Sequence, residues 1–144
     1  MEPSYTDIHD AVEILADHID FSIDMILGIS RGGLLPATIM SHLMAKPMIP
    51  VSYSSSKGKG DNYRFNRLPI VGVGVKRPTL LIMDDICDTG HTLKEITSHY
   101  KGIGHKVHTM TLYHKIRDEQ IFIPDRYVWE LQEDSPWVIF PWEN

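Results

Sequence analysis

The chain has 144 residues, of which 42% are hydrophobic and 23% charged, a balance that predicts one folded domain over 1–144 and excludes a low-complexity protein. A formal charge of -5 gives no general attraction to nucleic acid or to an anionic membrane, so any phosphate site must be built locally. No apolar run approaches the roughly 20 residues that cross a bilayer, and the first ten residues lack the pattern of a secretion signal. A single cysteine forms no internal disulfide. We expect a cytoplasmic protein that binds neither nucleic acid nor membrane.

The first third of the sequence predicts a helix and then two buried strands. Thr6 is the expected N-cap of the first helix. The segment 25–30, MILGIS, predicts a strand, and after the turn RGG the segment 34–44 predicts a second helix. The segment 48–53, MIPVSY, predicts the next strand. Apolar residues at helical spacing are Ile8, Val12, Leu15, Ala16 and Ile19 in the first helix and Leu35, Ile39 and Leu43 in the second.

A polar segment, 54–67, follows these elements and has no periodicity. A loop of this length in a compact domain is usually a functional lid or disordered. This one carries four cations, Lys57, Lys59, Arg64 and Arg67. An ordinary solvated charge run is the alternative interpretation.

Strands and helices alternate in the second half of the sequence. Strands are predicted at 68–75, 79–83, 106–113 and 127–131, and a helix is predicted at 93–100. This alternation is typical of a mostly parallel central sheet flanked by helices, so we predict an α/β fold.

The most informative segment is LLIMDDICDTGHT, residues 80–92. Its four apolar residues predict a strand buried on both faces, with Asp84 and Asp85 just beyond the carboxyl end, where open α/β sheets bind ligands. The glycine turn and helix start that follow would offer backbone N–H groups and the hydroxyls of Thr89 and Thr92 to a phosphate. Acidic residues beside such a cradle are tolerated when Mg²⁺ or a polyhydroxylated ligand compensates them. The pattern therefore favours a sugar phosphate with a metal.

Two simpler interpretations of this segment stay open. Thr89 or Thr92 would merely cap the helix while Gly90 makes the turn, or the aspartates would belong to a solvated loop.

The histidines and the cysteine form no convincing catalytic pattern. A zinc site among His105, His108 and His114 is disfavoured because positions 105 and 108 point to opposite faces of a strand. Cys87 with His91 suggests a thiol nucleophile, but Cys87 occupies a spacer position, so we interpret it as local packing.

Residues 80–92 resemble the phosphoribosyl pyrophosphate (PRPP) signature of type I phosphoribosyltransferases, in which an apolar strand, two acidic residues, two spacers and a variable residue precede Thr-Gly-x-Thr. The resemblance implies that Asp84 and Asp85 hold the ribose hydroxyls, with Asp85 also near Mg²⁺. It implies the type I phosphoribosyltransferase fold, with a small C-terminal hood at 114–144. The implied loop around the 5'-phosphate consists of Asp88, Thr89, Gly90, His91 and Thr92.

Two further matches indicate the 6-oxopurine branch of this family. Asp88 stands where those enzymes carry an aspartate that serves as general base near purine N7. ISRGGLLP at 29–36 resembles the pyrophosphate loop of bacterial xanthine-guanine phosphoribosyltransferases, which often contains a cis peptide bond. The pyrophosphate-binding residues that this implies are Ser30, Arg31, Gly32 and Gly33. Taken alone, RGG would be an ordinary turn.

The segment 54–67 resembles the mobile active-site loop of the family, which closes over PRPP and excludes water. The resemblance implies that one arginine of this loop contacts pyrophosphate, and both Arg64 and Arg67 are candidates.

The residues after 113 resemble the purine-binding hood of the xanthine-guanine enzymes. The resemblance implies that Lys115 donates to purine O6, that Trp137 stacks on the purine and that the backbone of Val138 meets its N1 and C2 edge. Ile139 stands where some relatives carry a glutamate for the guanine 2-amino group. A merely exposed lysine and a tail used for core or dimer packing, as for Trp142, are the alternatives.

We therefore predict a purine salvage enzyme that transfers the 5-phosphoribosyl group from PRPP to N9 of hypoxanthine, xanthine or guanine with Mg²⁺. We expect a homodimer or homotetramer. One rival is a regulator of the same fold that senses PRPP or nucleotide and binds nucleic acid. Another is an enzyme that acts on a pyrimidine. Asp88 and Lys115 argue against the first, and Asp88 and the tryptophan tail against the second.

Overall fold

The structure is a computed structural model that describes residues 1–53 and 77–144, together with the backbone of 65–67. The strand predicted at 68–75, most of the predicted loop 54–67 and Arg64 lie outside the described residues, and Arg67 is described only as strand backbone. None of the described helices is long and apolar enough to cross a membrane.

The described chain contains three helices and six strands. They are α1 (Tyr5–Asp17), β1 (Met25–Ser30), α2 (Leu34–Met44), β2 (Met48–Tyr53), β3 (Phe65–Arg67), β4 (Leu80–Cys87), α3 (His91–Gly102), β5 (Val107–Lys115) and β6 (Arg126–Leu131).

The six described strands form one sheet in the order β3-β2-β1-β4-β5-β6. Five of them run parallel, and only the short edge strand β3 is antiparallel to its neighbour. The mostly parallel α/β sheet predicted from the sequence is confirmed.

The helices cover both faces of the sheet. From β1 the chain crosses through α2 to β2, and from β4 it crosses through α3 to β5, in the opposite direction along the sheet. Right-handed crossovers in opposite directions place their helices on opposite faces. One apolar cluster accordingly joins α1 and α2 to Leu81 and Met83, and a second joins α3 to Leu80 and Ile82.

Two details of the first helices differ from the prediction. The N-cap of α1 is Ser4 and not Thr6, because Ser4 and Asp7 form a reciprocal capping box. In α2 the buried residues are Pro36, Ala37 and Met40, and Leu43 is 44% exposed. Ala37 sets this rotation of the helix, since its side chain packs against the bare backbone of Gly28 in β1.

The strand β4 is longer than predicted and contains both aspartates. It runs through Asp84 and Asp85 to Cys87, so the prediction that they lie just beyond the strand was wrong. The reason is pairing: β5 continues alongside, and Cys87 is still in register with His114. Backbone hydrogen bonds to a neighbouring strand do not require apolar side chains.

Candidate active site

The site lies where the chain leaves two neighbouring strands in opposite directions along the sheet. β1 and β4 are adjacent and parallel, yet the chain leaves β1 toward β2 and leaves β4 toward β5. In open α/β sheets this divergence opens a crevice at the carboxyl ends of the strands, where ligands bind. The two turns that flank the crevice, 31–33 and 88–90, are the two glycine-containing motifs of the sequence.

Asp84 and Asp85 open into two different cavities because successive residues of a strand face opposite sides. Asp84 lies on the α3 side and lines a cavity of about 170 Å³ together with the loop Asp88–Thr92. Asp85 lies on the α2 side and lines a cavity of about 710 Å³ together with Arg31 and Gly32. One strand thus carries a carboxylate into each half of the crevice.

Both carboxylates are held in surroundings that disfavour their charge. Burial raises the pKa of Asp84 well above its usual value, and the charge of Asp85 adds to the effect. Burial also raises the pKa of Asp85, while a hydrogen bond from the backbone N–H of Ile86 (2.7 Å) to its carboxylate opposes the shift. Carboxylates that a bound cation or hydroxyl donors would stabilise are typical of a ligand-binding site.

The loop after β4 presents backbone N–H groups to the smaller cavity. Its Gly90 is the N-cap of α3 and has φ +94°, a left-handed conformation that suits glycine. A β-carbon at Gly90 would approach the carbonyl oxygen of Phe122 to 2.5 Å. Gly90, and not a threonine, is the N-cap of α3, although Oγ1 of Thr89 accepts a long hydrogen bond (3.5 Å) from the N–H of His91. The other N–H groups of this helix start have no side-chain cap and are available to an anion.

The loop after β1 packs closely against β4. The Ser30–Arg31 peptide bond is cis, as the resemblance implies. Gly32 leaves room for the carboxylate of Asp85, and Gly33 for the carbonyl oxygen of Met83. The Arg31 side chain lines the larger cavity opposite Asp85.

Lys115 ends β5 and is 92% buried, since only 8% of its surface is exposed. The strand therefore extends two residues past the predicted end at 113. No described residue forms a hydrogen bond or ion pair with its ammonium group. The ammonium nitrogen keeps some contact with solvent while the aliphatic stem is buried, so it is available to donate to a ligand oxygen.

The C-terminal tail divides its side chains between solvent and core. Trp137 is 60% exposed, whereas Val138 is buried in the apolar cluster under α1. The backbone N–H of Ile139 donates to the carbonyl of Met1 (2.9 Å). Trp142 stacks on Phe140 and also lines the larger cavity, so the packing interpretation of Trp142 agrees with the structure.

A family model for the phosphoribosyl transferase domain matches residues 2–143. This chain belongs to the phosphoribosyltransferase family. The xanthine-guanine phosphoribosyltransferase of Cereibacter sphaeroides is 30% identical over 128 residues, which cover 82% of this chain and 68% of the relative. The xanthine-guanine phosphoribosyltransferase of Ruegeria is 31% identical over 128 residues, which cover 82% of this chain and 67% of the relative.

Solved structures of phosphoribosyltransferases have the same fold. The purine phosphoribosyltransferase of Pyrococcus horikoshii is 28% identical, with a TM-score of 0.83 over 100% of this chain and 93% of its own. The xanthine-guanine-hypoxanthine phosphoribosyltransferase of Helicobacter pylori is 18% identical, with a TM-score of 0.78 over 99% of this chain and 92% of its own. The predicted type I fold is confirmed.

Two charged residues of this candidate site were not predicted from the sequence. Glu143 lines the larger cavity with Asp85, and its charge raises the pKa of Asp85 further. Arg117 pairs with the carboxylate of Asp88 through Nε to Oδ1 and through Nη2 to Oδ2 at 3.1 Å. No local sequence pattern marks either residue. Glu143 directly follows Trp142, and Arg117 lies 29 residues from Asp88 along the chain.

His105, His108 and Cys87 have structural surroundings. Nδ1 of His105 bonds the carbonyl of Pro78 (2.8 Å), and the ring of His108 stacks on Phe21. Burial raises the pKa of the Cys87 thiol to about 12, which makes it a poor nucleophile. Within the described residues the one cluster with metal-ligand spacing is the exposed set His9, Asp10 and Glu13, remote from β4.

Proposed function

We propose that this protein transfers the 5-phosphoribosyl group from PRPP to N9 of a 6-oxopurine and releases pyrophosphate. The observation that carries the proposal is the division of Asp84 and Asp85 between two cavities, each beside a glycine turn suited to phosphate. PRPP has the matching form, a polyhydroxylated ring with a phosphate at one end and a pyrophosphate at the other. The relatives named as purine enzymes support the choice of acceptor.

In this assignment the chain holds PRPP along the sheet edge. The N–H groups at the start of α3 and the hydroxyls of Thr89 and Thr92 bind the 5'-phosphate. Asp84 and Asp85 accept hydrogen bonds from the ribose hydroxyls. Arg31 and the backbone of the RGG turn bind the pyrophosphate on the Asp85 side, where the cavity is larger.

The purine approaches from the hood. Lys115 donates to O6, a carbonyl in 6-oxopurines but an amine in adenine, and Trp137 stacks on the ring. As N9 forms its bond to C1' of the ribose, the bond from C1' to the pyrophosphate oxygen breaks and N7 becomes acidic. Asp88 accepts the N7 proton, and its negative charge stabilises the positive charge that develops on the ribose.

Magnesium fits the carboxylates of the larger cavity. Asp85 and Glu143 would hold the cation through carboxylate oxygens. Burial and, to a smaller extent, the charge of Glu143 raise the pKa of Asp85, so a divalent cation there would relieve an unfavourable interaction. When bound, Mg²⁺ would neutralise charge on the leaving pyrophosphate, and Arg31 lines the same cavity.

Other features of the proposal stay predictions. They are a single domain over 1–144, a hood at 114–144, closure of the loop 54–67 with Arg64 or Arg67 on pyrophosphate, a homodimer or homotetramer, a cytoplasmic location and no binding to nucleic acid.

The test is pyrophosphate release from PRPP and Mg²⁺ with hypoxanthine, xanthine, guanine, adenine or orotate as acceptor. We expect release with at least one 6-oxopurine, formation of the matching mononucleotide and no reaction with orotate. Reaction with adenine or orotate alone would contradict the proposal. The rival regulator predicts instead no transfer but retention of nucleic acid in a filter-binding assay that depends on PRPP or nucleotide.

A further inference from the structure

The carboxylate of Asp88 does not project freely into the cavity. Nε of Arg117 donates to Oδ1 and Nη2 donates to Oδ2 at 3.1 Å, a fork-to-fork arrangement. The pair is partly shielded, with 27% of the Arg117 side chain and 35% of the Asp88 side chain exposed. Nη1 of Arg117 reaches Oε1 of Glu133 at 3.4 Å, so the guanidinium is itself anchored from the segment after β6.

A second side chain, Gln120, holds the backbone of the same loop. Its Nε2 donates to the carbonyls of Asp88 (2.7 Å), Thr89 (3.1 Å) and Phe122 (2.9 Å). Its Oε1 accepts from the backbone N–H of Arg117 at 3.3 Å. The segment after β5 therefore makes two separate attachments to the phosphate loop, one to its main chain through Gln120 and one to a single side chain through Arg117.

We propose that Arg117 is a positioning residue that presents the carboxylate of Asp88 to the purine. This inference rests on the proposed function, in which Asp88 accepts the N7 proton. A bidentate guanidinium occupies one lone pair on each carboxylate oxygen and fixes the plane of the group. The second lone pair on each oxygen is left to accept a proton from the substrate. Arg117 thus supplies orientation without touching substrate itself.

Because the two attachments hold different parts of the loop, their loss should affect different kinetic constants. Loss of Arg117 frees the Asp88 side chain but leaves the loop main chain on Gln120, so turnover should fall while PRPP binding persists. Loss of Gln120 loosens the main chain that cradles the 5'-phosphate, so the KM for PRPP should rise. A purely structural role for Arg117 predicts that both quantities deteriorate together.

The experiment is a double-mutant cycle on kcat with Asp88→Asn, Arg117→Gln and the double variant. We expect Arg117→Gln to lower kcat on the order of tenfold, with the KM for PRPP changed by less than about twofold. Arg117→Lys should recover part of the loss, because it retains the charge but not the fork. In the Asp88→Asn background, Arg117→Gln should cost nothing further. An equal loss in both backgrounds would overturn the proposal.

Two comparisons keep the outcome interpretable. Arg126→Gln removes an exposed arginine whose one hydrogen bond within residues 1–53 and 77–144 goes to the backbone carbonyl of Asp125, and it should leave kcat unchanged. A wild-type protein that forms no nucleotide from any 6-oxopurine overturns the proposed function, and this assignment with it. An active wild type with an equally active Arg117→Gln variant overturns this assignment alone.

Discussion

The carboxylate of Asp85 lies against the backbone of Gly32, so that a β-carbon at Gly32 would overlap Oδ2. Asp85 belongs to β4 and Gly32 to the turn after β1, and their contact joins these two elements in the larger cavity. We expect Gly32→Ala to push the carboxylate out of the larger cavity. The kcat/KM for PRPP should fall on the order of a hundredfold, as measured by pyrophosphate release.

The matched control for this substitution is Gly102→Ala. Gly102 ends α3, and a β-carbon there would meet no atom within 4 Å. We expect unchanged activity and a slightly higher melting temperature, because alanine is the better helix former by about 0.5–1 kcal/mol. If Gly32→Ala is as active as Gly102→Ala, the role we give to this contact is wrong.

Gly90 and Gly104 allow backbone strain to be separated from crowding. Both have positive φ, +94° and +98°, but a β-carbon at Gly90 meets Phe122 whereas one at Gly104 lies 3.6 Å from the flexible side chain of Arg77. Gly104→Ala should therefore cost about 1 kcal/mol of unfolding free energy, measured in urea. Gly90→Ala should cost on the order of 3 kcal/mol because strain and overlap add. Equal losses of unfolding free energy in the two variants would show that Phe122 moves aside at no cost.

Asp84→Asn should stabilise the ligand-free protein at neutral pH. Burial raises the pKa of Asp84, so the folded chain resists its ionisation more than the unfolded chain does. Wild-type stability therefore falls as pH rises from the ordinary aspartate pKa of about 3.9 through the raised pKa. Asparagine keeps an oxygen that accepts the N–H of Asp85, and because it does not ionise, its stability does not fall as the pH rises. We expect a melting temperature roughly 2–4 °C higher at pH 7.5 and no advantage at pH 3.5. An equal advantage at both pH values would contradict this explanation.

Lys115→Met tests the ammonium group. Methionine has similar length and no charge and can fill the space of the buried lysine stem, so the fold should tolerate it. We expect the KM for the 6-oxopurine to rise on the order of tenfold, with the KM for PRPP unchanged. Lys101→Met, an exposed position on α3, serves as the control. An unchanged KM for the base would remove Lys115 from the purine pocket.

Glu143→Gln tests the magnesium assignment. The amide oxygen of glutamine can still accept the backbone N–H of Phe140, as Oε2 of Glu143 does at 2.9 Å, so the tail should keep its conformation. The Mg²⁺ concentration for half-maximal activity should rise on the order of tenfold, while Glu119→Gln, an exposed control, should leave it unchanged. Activity that persists in EDTA would argue against the metal.

The sheet could be predicted from the sequence because its strands begin in short runs of apolar, β-branched or aromatic residues that turn signals separate. β1 and β2 begin and end at the predicted residues, 25–30 and 48–53. The end of β4 could not be predicted, since pairing with β5 and not hydrophobicity carries that strand past Met83. Ser4 displaced Thr6 as the N-cap for a similar reason: capping depends on which residue forms the reciprocal bonds with Asp7.

The site was predictable in its contiguous motifs and not in its long-range partners. The segments 80–92 and 29–36 each place their residues by local geometry, and the structure brings both to one crevice. The pair of Arg117 with Asp88 joins residues 29 apart, and Arg117 lies in the stretch between β5 and β6, which has no regular structure and so no periodicity. The role of each predicted residue stays a prediction that the variants above examine.

The alternation of Asp84 and Asp85 across β4 also limits how this strand can change. A substitution among its apolar residues alters packing on one face only, but deletion of one residue between Leu80 and Met83 would shift the strand by half a pleat. The two acids would then exchange sides, and each would meet the turn that suits the other. We expect the length of this strand to be far less tolerant of change than its composition.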